Sequence, residues 1–161
     1  MTAIEHIEQY LKEQKVRYEV IHHARAFTAQ QVAQAEHVPG KMQAKVVVLT
    51  GNGSFYMAVL PASYHVAVEE FGKVVGRTCR LATEAEFKNL FPDCEVGAMP
   101  PFGNFYNLPV YADASLQEDD EIVFQAGTHT ESVKVAWNDF VKLQQPIMAH
   151  FGKSPKPAKL A

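Results

Sequence analysis

An α+β fold built on a mixed sheet is the class this sequence predicts, and three observations predict it. Short runs rich in β-branched and aromatic residues recur along the chain, each closed by Gly, Pro or Asn. Three capping-box signatures, Thr2-Ala3-Ile4-Glu5, Thr28-Ala29-Gln30-Gln31 and Thr83-Glu84-Ala85-Glu86, open helices among them. The strands come at mixed spacing, with helices at the ends and between. With 161 residues, 47% apolar and 20% charged, the chain suits one domain with a proper core. That domain is expected over residues 1–152, with the Lys- and Pro-containing stretch 153–161 as a flexible tail.

Each element has its own signal. Ile4, Ile7 and Leu11 follow the first capping box at helical spacing, predicting a helix to about Lys15. Arg17 to His22 alternates like a strand. The second box opens a helix that Pro39-Gly40 ends. Gln43-Ala44-Lys45-Val46-Val47-Val48-Leu49-Thr50 is a buried strand, turned by Gly51-Asn52-Gly53 into Phe55 to Leu60 as a hairpin. His65 to Val75 has the pattern of an amphipathic helix stopped by Gly76. Cys79 to Ala82 is a short strand, and the third box starts a helix carrying Phe87, Leu90 and Phe91 up to Pro92. After a loop rich in Gly and Pro come strands at Leu108 to Ala112, Glu121 to Gln125 and Ser132 to Ala136. Asn138 or Asp139 caps a last helix through Leu143.

Composition excludes several function classes. A formal charge of −3 argues against a tight autonomous nucleic-acid binder, so DNA is not expected as a partner. No apolar run approaches membrane-spanning length, and the N-terminus lacks the basic-then-apolar plan of a signal peptide. Two cysteines, Cys79 and Cys94, make no disulfide framework and fit reduced thiols in a cytoplasm.

Three features bear on chemistry. Lys45 is the one charge in an apolar strand and shares a face with Val47 and Leu49, so its ammonium must snorkel out, pair, or face a polar cavity. Gly97-Ala98-Met99-Pro100-Pro101-Phe102-Gly103 is stiff in the middle and free at its glycine ends, the build of a ligand-lining loop or of a rigid connection. His129, in Gly127-Thr128-His129-Thr130, is either an exposed turn histidine or a hydrogen-bonding or basic group. The other histidines have no metal-ligand spacing, Cys94 sits beside carboxylates that disfavour its thiolate, and no nucleophile elbow or phosphate-cradling loop occurs. Neither a metal nor a cofactor is expected.

Taken in series, Ala44-Lys45-Val46-Val47-Val48-Leu49, Ala58-Val59-Leu60-Pro61-Ala62-Ser63, Arg80 to Glu86, Leu90 to Gly103 and Ala126-Gly127-Thr128-His129-Thr130 resemble the YbaK and prolyl-tRNA-synthetase editing-domain family, the trans-acting aminoacyl-tRNA deacylases. The resemblance runs from about Tyr18 to Leu143. It implies a mixed sheet curled into a partly closed barrel, and hydrolysis of the ester joining a wrong amino acid to tRNA. By the same resemblance Lys45 contacts the substrate near the ester and the terminal adenosine. Gly97, Met99, Pro100, Pro101, Phe102 and Gly103 line the amino-acid pocket, His129 occupies a pocket position, and the Phe27-Thr28 region adds Thr28 as a substrate contact. The implied partner is the aminoacyl-tRNA acceptor end, and with a net charge of −3 either the contacts are confined to that end or an aminoacyl-tRNA synthetase supplies the rest. Activated esters need only a positioned water and a stabilised oxyanion, which fits the missing nucleophile. The Pro-stiffened loop predicts a sieve admitting small amino acids. The alternative is a non-catalytic ligand-binding or synthetase-interaction module on the same fold.

Overall fold

Thr2 starts helix α1 (Ala3–Glu13) as the capping box requires. Its hydroxyl accepts from the Glu5 N–H at 3.3 Å, and the Glu5 carboxylate accepts from the Thr2 N–H at 3.4 Å. Ile7 and Leu11, one turn apart, form the buried side of this helix. Strand β1 (Tyr18–His22) follows. The computed structural model describes residues 2–23 and 43–154. The helix expected from the second capping box, and Thr28 with it, lie outside the described residues, as does most of the expected tail.

Strands β2 (Ala44–Gly51) and β3 (Ser54–Pro61) make the expected hairpin. Asn52 and Gly53 have φ of 53° and 80°, the two positive angles of a type I′ turn, which Asn-Gly adopts at low cost. Where one helix was expected from His65 to Val75, the chain makes strand β4 (His65–Val66) and then helix α2 (Val68–Val75). His65 and Val66 are drawn into pairing with Lys153 and Gly152, a long-range partner that local periodicity does not reveal. Strand β5 (Arg80–Leu81) and the one-turn helix α3 (Glu84–Phe87) follow, the latter continued by a 3₁₀ turn at Lys88–Leu90. The remaining elements are β6 (Val110–Asp113), β7 (Glu121–Gln125), β8 (Glu131–Ala136), α4 (Trp137–Gln144), β9 (Ile147–Ala149) and β10 (Gly152–Lys153).

The fold is α+β with a mixed sheet. Five strands run in the order β5-β2-β3-β6-β9, with β3–β6 and β6–β9 parallel and the other pairs antiparallel. An antiparallel sheet β1-β8-β7 and the pair β10-β4 complete it. The partly closed barrel implied by the resemblance is not formed among the described residues, where no sheet closes on itself. β2 pairs β3 along its length but β5 only at Leu49 and Thr50, and its link to β7 is a single parallel bridge from Gln43 to Val123. Backbone pairing gives out there, and side-chain packing joins the two sheets instead.

Two cores result, one on each face of the five-stranded sheet. Ala44, Val48, Met57 and Val59 point toward α1, α4 and the sheet β1-β8-β7. Leu49, Tyr56, Ala58, Leu60 and Tyr111 point toward Phe71 of α2 and Phe151. Asp113 fastens the C-terminal strands to this frame. Burial pushes its carboxyl up, but hydrogen bonds from the Ser115 hydroxyl and the Gly152, Phe151 and Ser115 N–H groups outweigh that and hold it below its usual value. Lys153 pairs His65 as part of β10. No helix of the described residues is long and apolar enough to cross a membrane.

Candidate active site

Side-chain alternation along β2 divides its residues between the two cores. Ala44, Val46 and Val48 belong to the first, and Val47 and Leu49 to the second. Lys45 falls on the second face, and its side chain is half-buried. Burial alone pushes its ammonium below the usual lysine value, with no carboxylate contributing. Among the described residues, the lysine neither escapes fully to water nor rests on an ion pair.

The bridge between Gln43 and Val123 shows which neighbouring-strand residues share the face of Lys45. Bridged residues on neighbouring strands point the same way, so Gln43 and Val123 share a face. Two residues further along each strand, Lys45 and Gln125 stand on that face too, because the two chains run parallel. Beyond Gln125, β7 runs directly into the Gly127–Thr130 turn. That topology carries the lysine strand toward the predicted loop.

Loop and turn are joined by three hydrogen bonds. The Glu95 N–H donates to the Gly127 carbonyl at 2.8 Å, and the Gly127 N–H donates to the Ala98 carbonyl at 2.9 Å. His129 Nε2 lies 2.8 Å from the Val96 carbonyl, which can only accept, so Nε2 carries the proton. The Glu95 carboxylate stands 4.0 Å from the same nitrogen. His129 is thus no exposed turn residue: it is 4% exposed, because residues 95–98 cross over it. Gly97 and Gly127 carry φ of 85° and 94°, angles that side-chain-bearing residues rarely hold, so both glycines are required where they stand.

Within the loop the residues divide by what they can offer a ligand. Gly97 is exposed, while Pro100 and Pro101 are buried. Met99 and Phe102 belong to the first core, with the Phe102 ring 5.2 Å from Phe124 and 6.3 Å from Phe140. A Cβ on Gly103 would overlap the Leu108 carbonyl and the Val110 side chain, so its smallness serves packing. Cys94, Tyr106 and Asp93 lock the loop's approach: Tyr106 donates to Asp93 at 3.0 Å and lies 3.2 Å from the Cys94 sulfur. Burial and then Asp93 push the thiol up to about 12, leaving Cys94 inert as a nucleophile.

A cavity of about 430 Å³ flanks this junction, lined in part by Asp93, Glu95, Gly127 and Glu131. Three carboxylates give it the wrong sign for a nucleic-acid phosphate. No group of three His, Cys, Asp or Glu side chains among the described residues could hold a metal ion.

The structure therefore unites the Gly97–Gly103 loop with His129, sets Lys45 on the strand adjoining β7, and leaves Thr28 outside the described residues. Sequence reasoning missed Gln43 and Gln125. Their signal was available in principle: each is a polar residue in phase with Lys45 or Val123 on an otherwise apolar strand face.

Comparison with known proteins bears on this arrangement. A family model for the aminoacyl-tRNA editing domain matches residues 23–143. The multifunctional Ser/Thr-tRNA deacylase ProXp-y of Escherichia coli (strain K12) is 32% identical over 116 residues, which are 70% of this chain and 69% of that protein. Among solved structures, a candidate trans-editing enzyme for prolyl tRNA synthetase superposes with a TM-score of 0.82 at 20% identity, over 96% of this chain and 99% of the other. The hypothetical protein APE2540 superposes with a TM-score of 0.83 at 18% identity, over 91% and 99%. At these identities the two structures speak to the fold alone.

Proposed function

The chain belongs to the aminoacyl-tRNA editing domain family, and we propose that it removes a small amino acid from mischarged tRNA, substrate-assisted and without a metal, with Lys45 positioning the ester. Membership makes it an aminoacyl-tRNA deacylase, a hydrolase. The finer reading rests above all on Lys45, whose half-buried ammonium has no carboxylate to neutralise it among the described residues. A cation held without a counter-ion is free to answer a charge that develops only during reaction.

In the proposed reaction, water adds to the ester carbonyl and the C–O π pair moves onto oxygen. Lys45 stabilises that oxyanion. The tetrahedral centre then collapses, the bond to the ribose oxygen breaks, and the leaving oxygen takes the proton released by water, relayed through the neighbouring ribose hydroxyl. No protein nucleophile is needed because the ester is already activated. The loop supplies a wall rather than chemistry. His129 holds Val96, Gly127 holds Ala98, and Pro100 and Pro101 stiffen what lies between. A wall so held admits serine-, threonine-, alanine- or cysteine-sized groups and excludes leucine and phenylalanine by overlap, while separating the small ones only modestly. The curated relative's name, with Ser and Thr in it, agrees with a small substrate. The partner in this reading is the acceptor end of an aminoacyl-tRNA in the cytoplasm, with a synthetase supplying the remaining tRNA contacts that a net charge of −3 does not favour.

Initial rates on tRNAs carrying serine, threonine, alanine, cysteine and phenylalanine test the proposal. Fast loss of small esters and a rate near the spontaneous one for phenylalanine are expected. Equal rates on alanyl and phenylalanyl esters would refute the sieve, and binding without hydrolysis of any ester would leave the non-catalytic module.

A further inference from the structure

Among the described residues, the face that carries Lys45 holds two buried carboxamides with unpartnered atoms. Gln43 is 0% exposed, and neither its Oε1 nor its Nε2 has a hydrogen-bond partner among the described residues. Gln125 is 4% exposed, and its Oε1 is likewise unpartnered. Buried polar groups are almost always paired, because leaving one unmade costs the full desolvation of that group. Two such groups on neighbouring strands, on the face of a half-buried cation, are too costly to be kept for packing alone. Leucine or methionine would fill either place without the penalty.

The register fixes how they stand. Gln43 bridges Val123, Lys45 follows Gln43 by two residues, and Gln125 follows Val123 by two. Gln43 therefore stands on the lysine's own strand and Gln125 on the neighbouring one, both on the face of Lys45. Ser132, opposite Gln125 on β8, is also fully buried, and its hydroxyl is already engaged with His23 at 3.3 Å. The unmet capacity therefore belongs to the two glutamines.

We propose that Gln43 and Gln125 are specificity-determining residues that hydrogen-bond the side-chain hydroxyl of a seryl or threonyl ester held beside Lys45. This rests on the deacylase reading given above. A carboxamide offers one acceptor and two donors, and a hydroxyl both donates and accepts, so the match is two-sided. The competing tenant is the substrate's α-ammonium. A second cation beside a desolvated lysine would be repelled by it, whereas a neutral hydroxyl is not. Sites built to bond a hydroxyl discriminate against analogues lacking it, because their own polar groups are then left bare.

Calorimetric titration with amide-linked, non-hydrolysable seryl and alanyl conjugates of 3′-amino-adenosine provides the test, alongside hydrolysis of seryl- and alanyl-tRNA. The parent chain should bind the seryl conjugate about tenfold more tightly than the alanyl one, a difference of about 1.4 kcal/mol. Gln125→Met and Gln43→Met should erase most of that ratio. Both variants should melt at or above the parent's temperature, since each removes an unpaired buried amide. A seryl-to-alanyl ratio that survives both substitutions, or a parent that shows no preference, would overturn the assignment even if every ester is hydrolysed. Preference in binding with no hydrolysis of either tRNA would instead uphold the assignment and sink the deacylase mechanism.

Discussion

Gly127 is where the loop, the His129 turn and the N-terminal helix meet, and replacing it by alanine puts a number on that junction. Its φ of 94° is one a side-chain-bearing residue rarely adopts. Holding alanine in the left-handed half of the map costs about 1–2 kcal/mol. A Cβ there would also overlap the Cβ of Ala3 and come within 3.5 Å of the Asp93 carbonyl. Overpacking of this kind adds about 1–3 kcal/mol. The sum, about 2–5 kcal/mol, corresponds to a fall in Tm of roughly 4–20 °C for a domain of this size. Gly127→Ala should show that fall by calorimetry, together with slower ester hydrolysis, because Gly127 bonds both Glu95 and Ala98. Ala3→Gly supplies the internal control. In a double-mutant cycle it should restore the steric part, about 1–3 kcal/mol, and leave the backbone part. An unchanged Tm in Gly127→Ala, or a cycle with no coupling to Ala3, would refute the reasoning.

Gly97→Ala, at φ of 85° but on the exposed side of the loop, should cost about 1–2 kcal/mol in chemical denaturation and slow turnover of the preferred ester. Asp113→Asn should lower stability by about 1.5–3 kcal/mol at neutral pH, the worth of hydrogen bonds to a charged acceptor. Because the Asp113 carboxyl is held below its usual value, its stabilisation is full above the unfolded pKa and lost as pH falls through the folded one. Urea midpoints from pH 7 to pH 2 should accordingly fall less steeply for the variant than for the parent. Prolonged chelation should leave the deacylation rate unchanged, and a loss restored by zinc or magnesium would count against the metal-free mechanism.

Most of the fold was legible because local chemistry dictates it. The Thr2 and Thr83 capping boxes form as written, and Asn52-Gly53 makes its hairpin turn. What was not legible depends on partners distant in sequence. His65-Val66 leaves its helical pattern to pair with Gly152-Lys153, and β9 borders β6 by a parallel contact no local signal announces. The implied barrel is not seen among the described residues for the same reason: whether β2 zips to β7 beyond Gln43 is decided by how two sheets pack. At the site, the glycines and Lys45 stood out because each is costly where it is. From local pattern alone His129 could equally be an exposed turn residue, since the residues that cover it lie more than thirty positions earlier. That the Met99 and Phe102 side chains fill the core is something a loop sequence does not disclose.

Lys45→Met in a single-turnover assay on seryl-tRNA tests the central claim most directly. Burial lowers the Lys45 pKa from 10.5, so folding disfavours its charged form. That cost is full below the folded pKa and disappears as pH rises past the unfolded value. The variant should therefore melt no lower than the parent at pH 7, while its hydrolysis rate falls about 10²–10³-fold, the usual consequence of removing an oxyanion stabiliser. The parent-to-variant rate ratio should shrink as pH climbs through the depressed lysine pKa. A variant that hydrolyses seryl-tRNA at the parent rate, or one that loses activity only because it unfolds, would contradict the account.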